Sequence, residues 1–209
     1  MNVDNDRVKA GYAKLKRAAW LEVDLAAIRH NLRALRGLIG PRVKIMAVIK
    51  ANGYGHGIIQ MAKTAIDGGA QQLGVAMLQE ALELRKADIA CPILVLGCSL
   101  PEMAHDIIHN RLTQTVCSVQ MGKALSEAAH SLGKTAYVHV KVDTGMGRLG
   151  IDAHKTIEFV MELQRLPGLV ISGIFTHLAC ADEDNDSLSR LQLENFRKAL
   201  GELASFGVN

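Results

Sequence analysis

Short apolar segments and amphipathic segments alternate along this chain without a break, and that alternation constrains its fold more than any other feature. The apolar segments are Lys44–Lys50, Gln72–Met77, Pro92–Gly97, Leu112–Cys117, Ala136–Asp143 and Val170–Leu178. Several carry Val, Ile and Leu on both faces, as strands of a helix-covered parallel sheet do. An earlier strand-like run, Ala19–Asp24, stands apart and is expected to pair outside this core. Between the strands, Leu25–Ile39 follows the capping residue Asp24 and sets Ile28, Leu32, Leu35 and Ile39 on one face. Ser99 with Pro101 opens a second helix, and Ser118 caps a third that stops near Gly133. Asp152 opens a fourth, which runs toward Leu166 and is ended by Pro167-Gly168; Ser187–Ala204 forms the last. Strand starts recur every 20 to 34 residues. Two architectures fit: a doubly wound open sheet or a (β/α)8 barrel.

Composition narrows the function classes. At 49% hydrophobic and 22% charged residues, the chain can bury a core and is not a disordered segment. A formal charge of +3 and 4% aromatic residues leave neither the basic footprint nor the stacking platforms of a nucleic-acid binder. No apolar run approaches the roughly 20 residues that span a bilayer. Met1–Arg17 lacks the apolar stretch of a signal peptide, so a cytoplasmic location is expected. Cys91, Cys98, Cys117 and Cys180 form no C-x-x-C pair and read as buried or half-buried free thiols.

In either architecture chemistry gathers at the carboxyl ends of the strands. The first strand runs into Lys50-Ala51-Asn52-Gly53-Tyr54-Gly55-His56-Gly57. A lysine at that end points into the mouth, where desolvation favours the neutral amine that forms Schiff bases. Alternate glycines let the backbone approach a ligand, and Tyr54 offers its hydroxyl to an anion. The fifth strand runs into Gly145-x-Gly147-x-x-Gly150, a literal dinucleotide fingerprint, but the next strand ends at His177 rather than at the acid that motif requires. Arg148 reads better as a fixed cation for a phenolate or carboxylate. Lys141 shares a strand face with Asp143 and adds a further cation, which needs a negative partner. His177 fits a base, a ring-stacking platform or a satisfied strand-end histidine. His105 and His109 form an i, i+4 pair without a third ligand, and Asp182–Asp186 lacks calcium-loop spacing, so no metal is expected.

Three segments, AVIKANGYGHG (Ala47–Gly57), VKVDTGMGRLG (Val140–Gly150) and GIFTHLACAD (Gly173–Asp182), make the chain resemble the amino-terminal part of the alanine racemases. The opening AWLEVDLAAIRHNL (Ala19–Leu32) extends the likeness, which runs from Ala19 to Asn209. The resemblance implies an α/β fold, a (β/α)8 TIM-like barrel that binds pyridoxal 5'-phosphate (PLP). It places an N-terminal extension at 1–18 and a partial barrel domain at 19–209, truncated after about six strands, since such a barrel takes about 250 residues. It implies interconversion of L- and D-alanine for peptidoglycan synthesis by a homodimer. Lys50 would hold PLP as a Schiff base and act as the base on the D-face of the substrate α-carbon. Tyr54 would bond the cofactor phosphate. Arg148 would hold the phenolic oxygen and orient the substrate carboxylate, and His177 would stack near the pyridine ring. Lys141 matches a lysine that is often carbamylated in the family, which would turn its charge negative toward Arg148. The opposite-face tyrosine and most of the phosphate cradle would lie beyond Asn209, so these 209 residues alone are expected to be inactive or weakly active. Two alternatives stand beside this: a racemase of another amino acid, such as serine, or of broad specificity, and a non-catalytic PLP-binding barrel protein.

Overall fold

Parallel strands must be joined by crossovers, and the order in which they pair shows which way each crossover runs. In the computed structural model, which describes residues 21–208, the first six strands pair in their sequence order and the seventh returns to pair with the fifth. They are β1 (Met46–Val48), β2 (Gln72–Val75), β3 (Ile93–Val95), β4 (Thr113–Val116), β5 (Ala136–Asp143), β6 (Ile151–Asp152) and β7 (Leu169–Phe175). All pairings are parallel; β7 runs along β5 from Ala136 to Lys141, and β6 pairs with the last two residues of β5. A doubly wound sheet reverses its order at a switch point. This one does not, and with crossovers of one hand its helices fall on one face. That is barrel topology. Among the described residues β1 and β7 each pair with a single neighbour, so the sheet is open.

The helices are α1 (Leu25–Ile39), α2 (Ile58–Asp67), α3 (Leu78–Lys86), α4 (Ala104–His109), α5 (Val119–Leu132), α6 (Thr156–Gln164) and α7 (Ser187–Ser205). Asp24 caps α1 by accepting from the N–H of Ala26 and Ala27, and Ser118 caps α5 through Met121 N–H. Gly133 ends α5 in the left-handed conformation. The outer face of the sheet (Leu73, Val75, Ile93, Val95, Val138, Val140) packs on Ala62, Ala81, Leu84, Ile107, Leu125 and Leu163 to make one core. The inner face alternates with it: on β5, Tyr137, His139, Lys141 and Asp143 point inward. An inner cavity of about 710 Å³ lies toward the amino ends, lined by Met46, Leu94, Thr113, Tyr137 and His139 among others. None of the candidate site residues borders it.

Several boundaries differ from the sequence reading. Leu21–Asp24 is not a strand, and Ala19, Trp20 and the N-terminal extension lie outside the described residues. The first strand is Met46–Val48, not Lys44–Lys50, because the chain turns sharply at Ile49. Ser99 caps nothing; its hydroxyl donates to Gln114 Oε1 at 2.8 Å, and Pro101–Met103 forms a short 3-10 turn ahead of α4. Asp152 likewise caps only a 3-10 turn, Ala153–Lys155, through His154 N–H at 2.9 Å, before α6 begins. That helix stops at Gln164, short of Pro167.

β6 went unread in the sequence because it is two residues long and follows the glycine motif directly. Gly150 sits at φ +134° against β5, where a Cβ would meet Asp143 N at 2.6 Å and Val142 C at 2.9 Å. The third glycine of the fingerprint is therefore explained by backbone against backbone. Gly150→Ala is expected to destabilise the chain by about 1–3 kcal/mol, read as a Tm lower by roughly 2–4 °C per kcal/mol. Gly37→Ala, in α1 with nothing within 4 Å, is expected to raise stability by about 0.5–1 kcal/mol. Equal Tm shifts for the two contradict this reading.

Candidate active site

Lys50 leaves the sheet on a turn of unusual hand. Beyond β1, Ile49 donates its N–H to Gly74 O at 2.9 Å, and Lys50–Tyr54 then forms one helical turn. Within it Ala51, Asn52, Gly53 and Tyr54 have φ of 53°, 53°, 62° and 55°. Left-handed helix costs an L-residue about 1–2 kcal/mol, so strain is stored directly behind the lysine. Three contacts hold it there. Gly53 is buried and has no side chain; a Cβ would lie 2.7 Å from Met61 Cγ. Asn52 Oδ1 accepts from Ile58 N–H at 2.9 Å, closing the start of α2. The Glu80 carboxylate accepts from Ala51 N–H at 2.6 Å with one oxygen, and from Ala76 and Met77 N–H at 2.7 and 3.3 Å with the other. One side chain thus ties the turn to the end of β2.

The loops after β5 and β7 are held from the other side. Asp143 Oδ1 accepts from the N–H groups of Gly145, Met146 and Gly147 at 2.9, 2.9 and 3.1 Å. Burial works against its charge, but these backbone donors hold the carboxyl below the usual carboxylate range. Thr144 Oγ1 and Thr176 Oγ1 share a hydrogen bond of 2.8 Å between the two loops. From α7, Asn195 Nδ2 donates to Thr144 O at 3.1 Å. One turn earlier the wholly buried Gln192 accepts from Ala179 N–H at 2.8 Å and donates to His177 O at 3.0 Å. An i, i+3 amide pair on one helix therefore positions both loops.

Between these supports the structure gathers four of the five site residues read from the sequence. Lys50 is half-buried, Arg148 and His177 are exposed, and Lys141 is 5% exposed on the inner face of β5. Desolvation, then the charges of Arg148, Lys141 and Lys50, pushes the His177 imidazole below its ordinary value. Burial, then Arg148, pushes the Lys141 amine down, and its Nζ lies 5.6 Å from the Phe175 ring centroid. Among the described residues only Arg190 and Asp186 form a salt bridge, and Asp143, the nearest acid in sequence, is occupied by its loop. The rim thus presents neighbouring cations with no carboxylate paired to them. Such a site suits an anionic ligand. Tyr54 is not joined to this group by any hydrogen bond; it stands 57% exposed at the outer end of the left-handed turn.

Sequence reasoning missed Glu80, Gln192 and Asn195, the residues that hold the rim. Glu80 follows Met77 rather than a Ser or Thr, so no capping-box pattern announces it. Gln192 was detectable: it interrupts the buried stripe that continues through Ala199 and Leu203, and a buried amide demands partners.

The profile of the family described as "Alanine racemase, N-terminal domain" matches residues 23–209. The chain is 46% identical over 192 residues to an alanine racemase of Symbiobacterium thermophilum, an alignment covering 92% of this chain and 51% of that relative. The solved alanine racemase of Clostridium difficile 630 in complex with cycloserine superposes with a TM-score of 0.90 at 36% identity, covering 94% of this chain and 54% of that one. A histidine racemase from Leuconostoc mesenteroides subsp. sake superposes with a TM-score of 0.77 at 32% identity, covering 83% and 46%. The chain spans about half the length of the curated relatives it matches.

Two measurements check the site. In an NMR titration His177 protonates below the ordinary histidine value of about 6.5, and Arg148→Gln moves it upward; an unchanged midpoint contradicts the arrangement of cations. The unfolded chain binds the His177 proton more readily than the folded one, so this residue's contribution makes stability fall as pH drops through that value. Gln192→Ala leaves the His177 carbonyl and Ala179 N–H without their partner and lowers stability by about 1–3 kcal/mol, read by thermal unfolding.

Proposed function

This chain belongs to the alanine racemase N-terminal domain family, and on that premise we propose that it forms the PLP-binding barrel part of an enzyme interconverting L- and D-alanine. The observation that carries the reading is the unneutralised basic rim, on which Lys50, Lys141, Arg148 and His177 converge. PLP bears a phosphate and a phenolic oxygen, and the substrate brings a carboxylate; these are the anions such a rim would accept.

Lys50 is the residue to hold the cofactor's aldehyde carbon, because its amine sits at the mouth on a strained turn that fixes its direction. When bound, PLP supplies an electron sink that acidifies the substrate α-hydrogen. Lys50 then takes or returns that proton on the D-face. Tyr54 would hold the phosphate. Arg148, on the loop that Asp143 holds, would take the phenolic oxygen and the carboxylate. His177, whose carbonyl Gln192 holds, would stack on the pyridine ring. Lys141, whose amine burial and then Arg148 push below its ordinary value, would add carbon dioxide at Nζ with release of a proton; the resulting carbamate would offset Arg148. Two-base exchange needs a group on the opposite face, and the family resemblance assigns it to a tyrosine of a carboxyl-terminal domain supplied across a homodimer. The place of the reaction is the cytoplasm, where D-alanine feeds peptidoglycan synthesis.

A second reading, a racemase of another or a broader range of amino acids, is favoured by the likeness to a histidine racemase. A substrate panel separates the two: alanine is expected to be turned over fastest, and preference for serine or histidine overturns alanine as the substrate. In the 209-residue chain Lys50→Ala is expected to abolish the visible absorbance of bound PLP; its retention contradicts the role of Lys50. Positioned general bases contribute about 10²–10⁴-fold, so this chain by itself is expected to racemise alanine at least about 100-fold more slowly than a full-length relative. A family-like rate contradicts the two-base division.

A further inference from the structure

Strand register brings two cysteines together on the rim. Val95 of β3 pairs with Gln114 of β4, and three residues beyond each of these, past the ends of both strands, come Cys98 and Cys117. Val116 pairs with Val140 of β5, so the next step of the ladder sets Cys117 beside Lys141. Lys141 is on the inner face of β5 with Tyr137, and both thiols stand close enough to feel its charge. The buried Gln114 fixes the Cys98 segment: its Nε2 donates to Gly97 O at 2.8 Å and its Oε1 accepts from Ser99 Oγ at 2.8 Å, on either side of the cysteine. Neighbouring strands lie about 4.8 Å apart, inside the roughly 4.4–6.8 Å window of Cα separation that a disulfide spans.

Cys98 is exposed, unlike the buried or half-buried thiol expected from the sequence, and Cys117 is half-buried. The neighbouring Cys98 thiol draws the Cys117 thiol down to about 7 against the opposing effect of burial, and the Lys141 charge and the Gly150 backbone act in the same direction. The Cys117 side chain, with burial, raises the Cys98 thiol. Burial also raises Cys91, and burial with Glu183 raises Cys180. Of the four, Cys117 is the thiol whose value is lowered, and Cys98 stands beside it.

We infer that Cys117 and Cys98 form a peroxide-reactive dithiol on the rim, in which Cys117 is oxidised first and Cys98 resolves it. The Cys117 thiolate attacks one oxygen of a hydroperoxide such as hydrogen peroxide. The O–O bond breaks, sulfur becomes a sulfenic acid, and hydroxide leaves as water after taking a proton. Cys98 sulfur then attacks the sulfenic sulfur, the S–O bond breaks, and the Cys98 proton leaves with the hydroxyl as a second water. Two thiols and one peroxide give one disulfide and two waters. The reaction removes the thiolate beside Lys141 and bridges the ends of β3 and β4, so the rim's charge follows its redox state. This inference does not depend on the racemase reading.

The test is hydrogen peroxide at one equivalent on the purified 209-residue chain, followed by alkylation and peptide mapping by mass spectrometry. An intramolecular Cys98–Cys117 link is expected, reversed by dithiothreitol and retained in Cys91→Ser. In Cys98→Ser the link is lost and Cys117 accumulates as sulfenic and sulfinic acid; Cys117→Ser independently abolishes it. At pH 7 the reduced chain is expected to be alkylated at Cys117 at least about tenfold faster than at Cys91. Absence of the link, its formation to Cys91 or between chains instead, or equal alkylation of Cys91 and Cys117 overturns the proposal. Circular dichroism of each variant separates loss of chemistry from loss of fold.

Discussion

Every strand in this sheet points the same way; β1 to β6 pair in sequence order and β7 pairs with β5. The last residues of all the strands therefore lie along one rim. Lys50 follows β1, Cys98 follows β3, Cys117 follows β4, Lys141 lies in β5, and Arg148 and His177 follow β5 and β7. No side chain has to reach far to meet the others. The hydrophobic outer face, sealed by Val, Ile and Leu against the helices, keeps that alignment rigid, and the inner face carries the polar groups. Chemistry and core thus occupy opposite sides of the same backbone.

Holding cations together requires support from neutral or already committed groups, and the rim is built that way. Glu80 and Asp143, the acids beside it, accept backbone N–H groups instead of pairing with the lysines or Arg148. Hydrogen bonds to a charged acceptor contribute about 1.5–3 kcal/mol each, enough to offset the left-handed turn behind Lys50. Gln192 and Asn195 add neutral clamps that bring no charge of their own. The positive field stays available for a ligand.

The alternation of strand and helix patterns was legible because it depends on runs of many residues. Lys50, Lys141, Arg148 and His177 could be placed because strand ends follow from those runs. What escaped the sequence depends on single backbone angles or on long-range contacts. The turn at Ala51–Tyr54 has no periodicity, and three of its residues adopt it against their own preference. β6 consists of two residues whose pairing is permitted by one glycine. Glu80 and Gln192 act on loops 29 and 13 residues away, a distance that local patterns do not encode. The Cys98–Cys117 neighbourhood required the register of β3 against β4, although each cysteine follows its strand at a readable position.

The central claim is that Lys50 is the reactive amine of this rim, although Lys141 stands on the same rim. Incubation of the chain with PLP, reduction with borohydride and peptide mapping would locate the pyridoxyl group directly. The account predicts the label on Lys50, with Lys141 unmodified. A label on Lys141, or one spread evenly over the surface lysines, would contradict it.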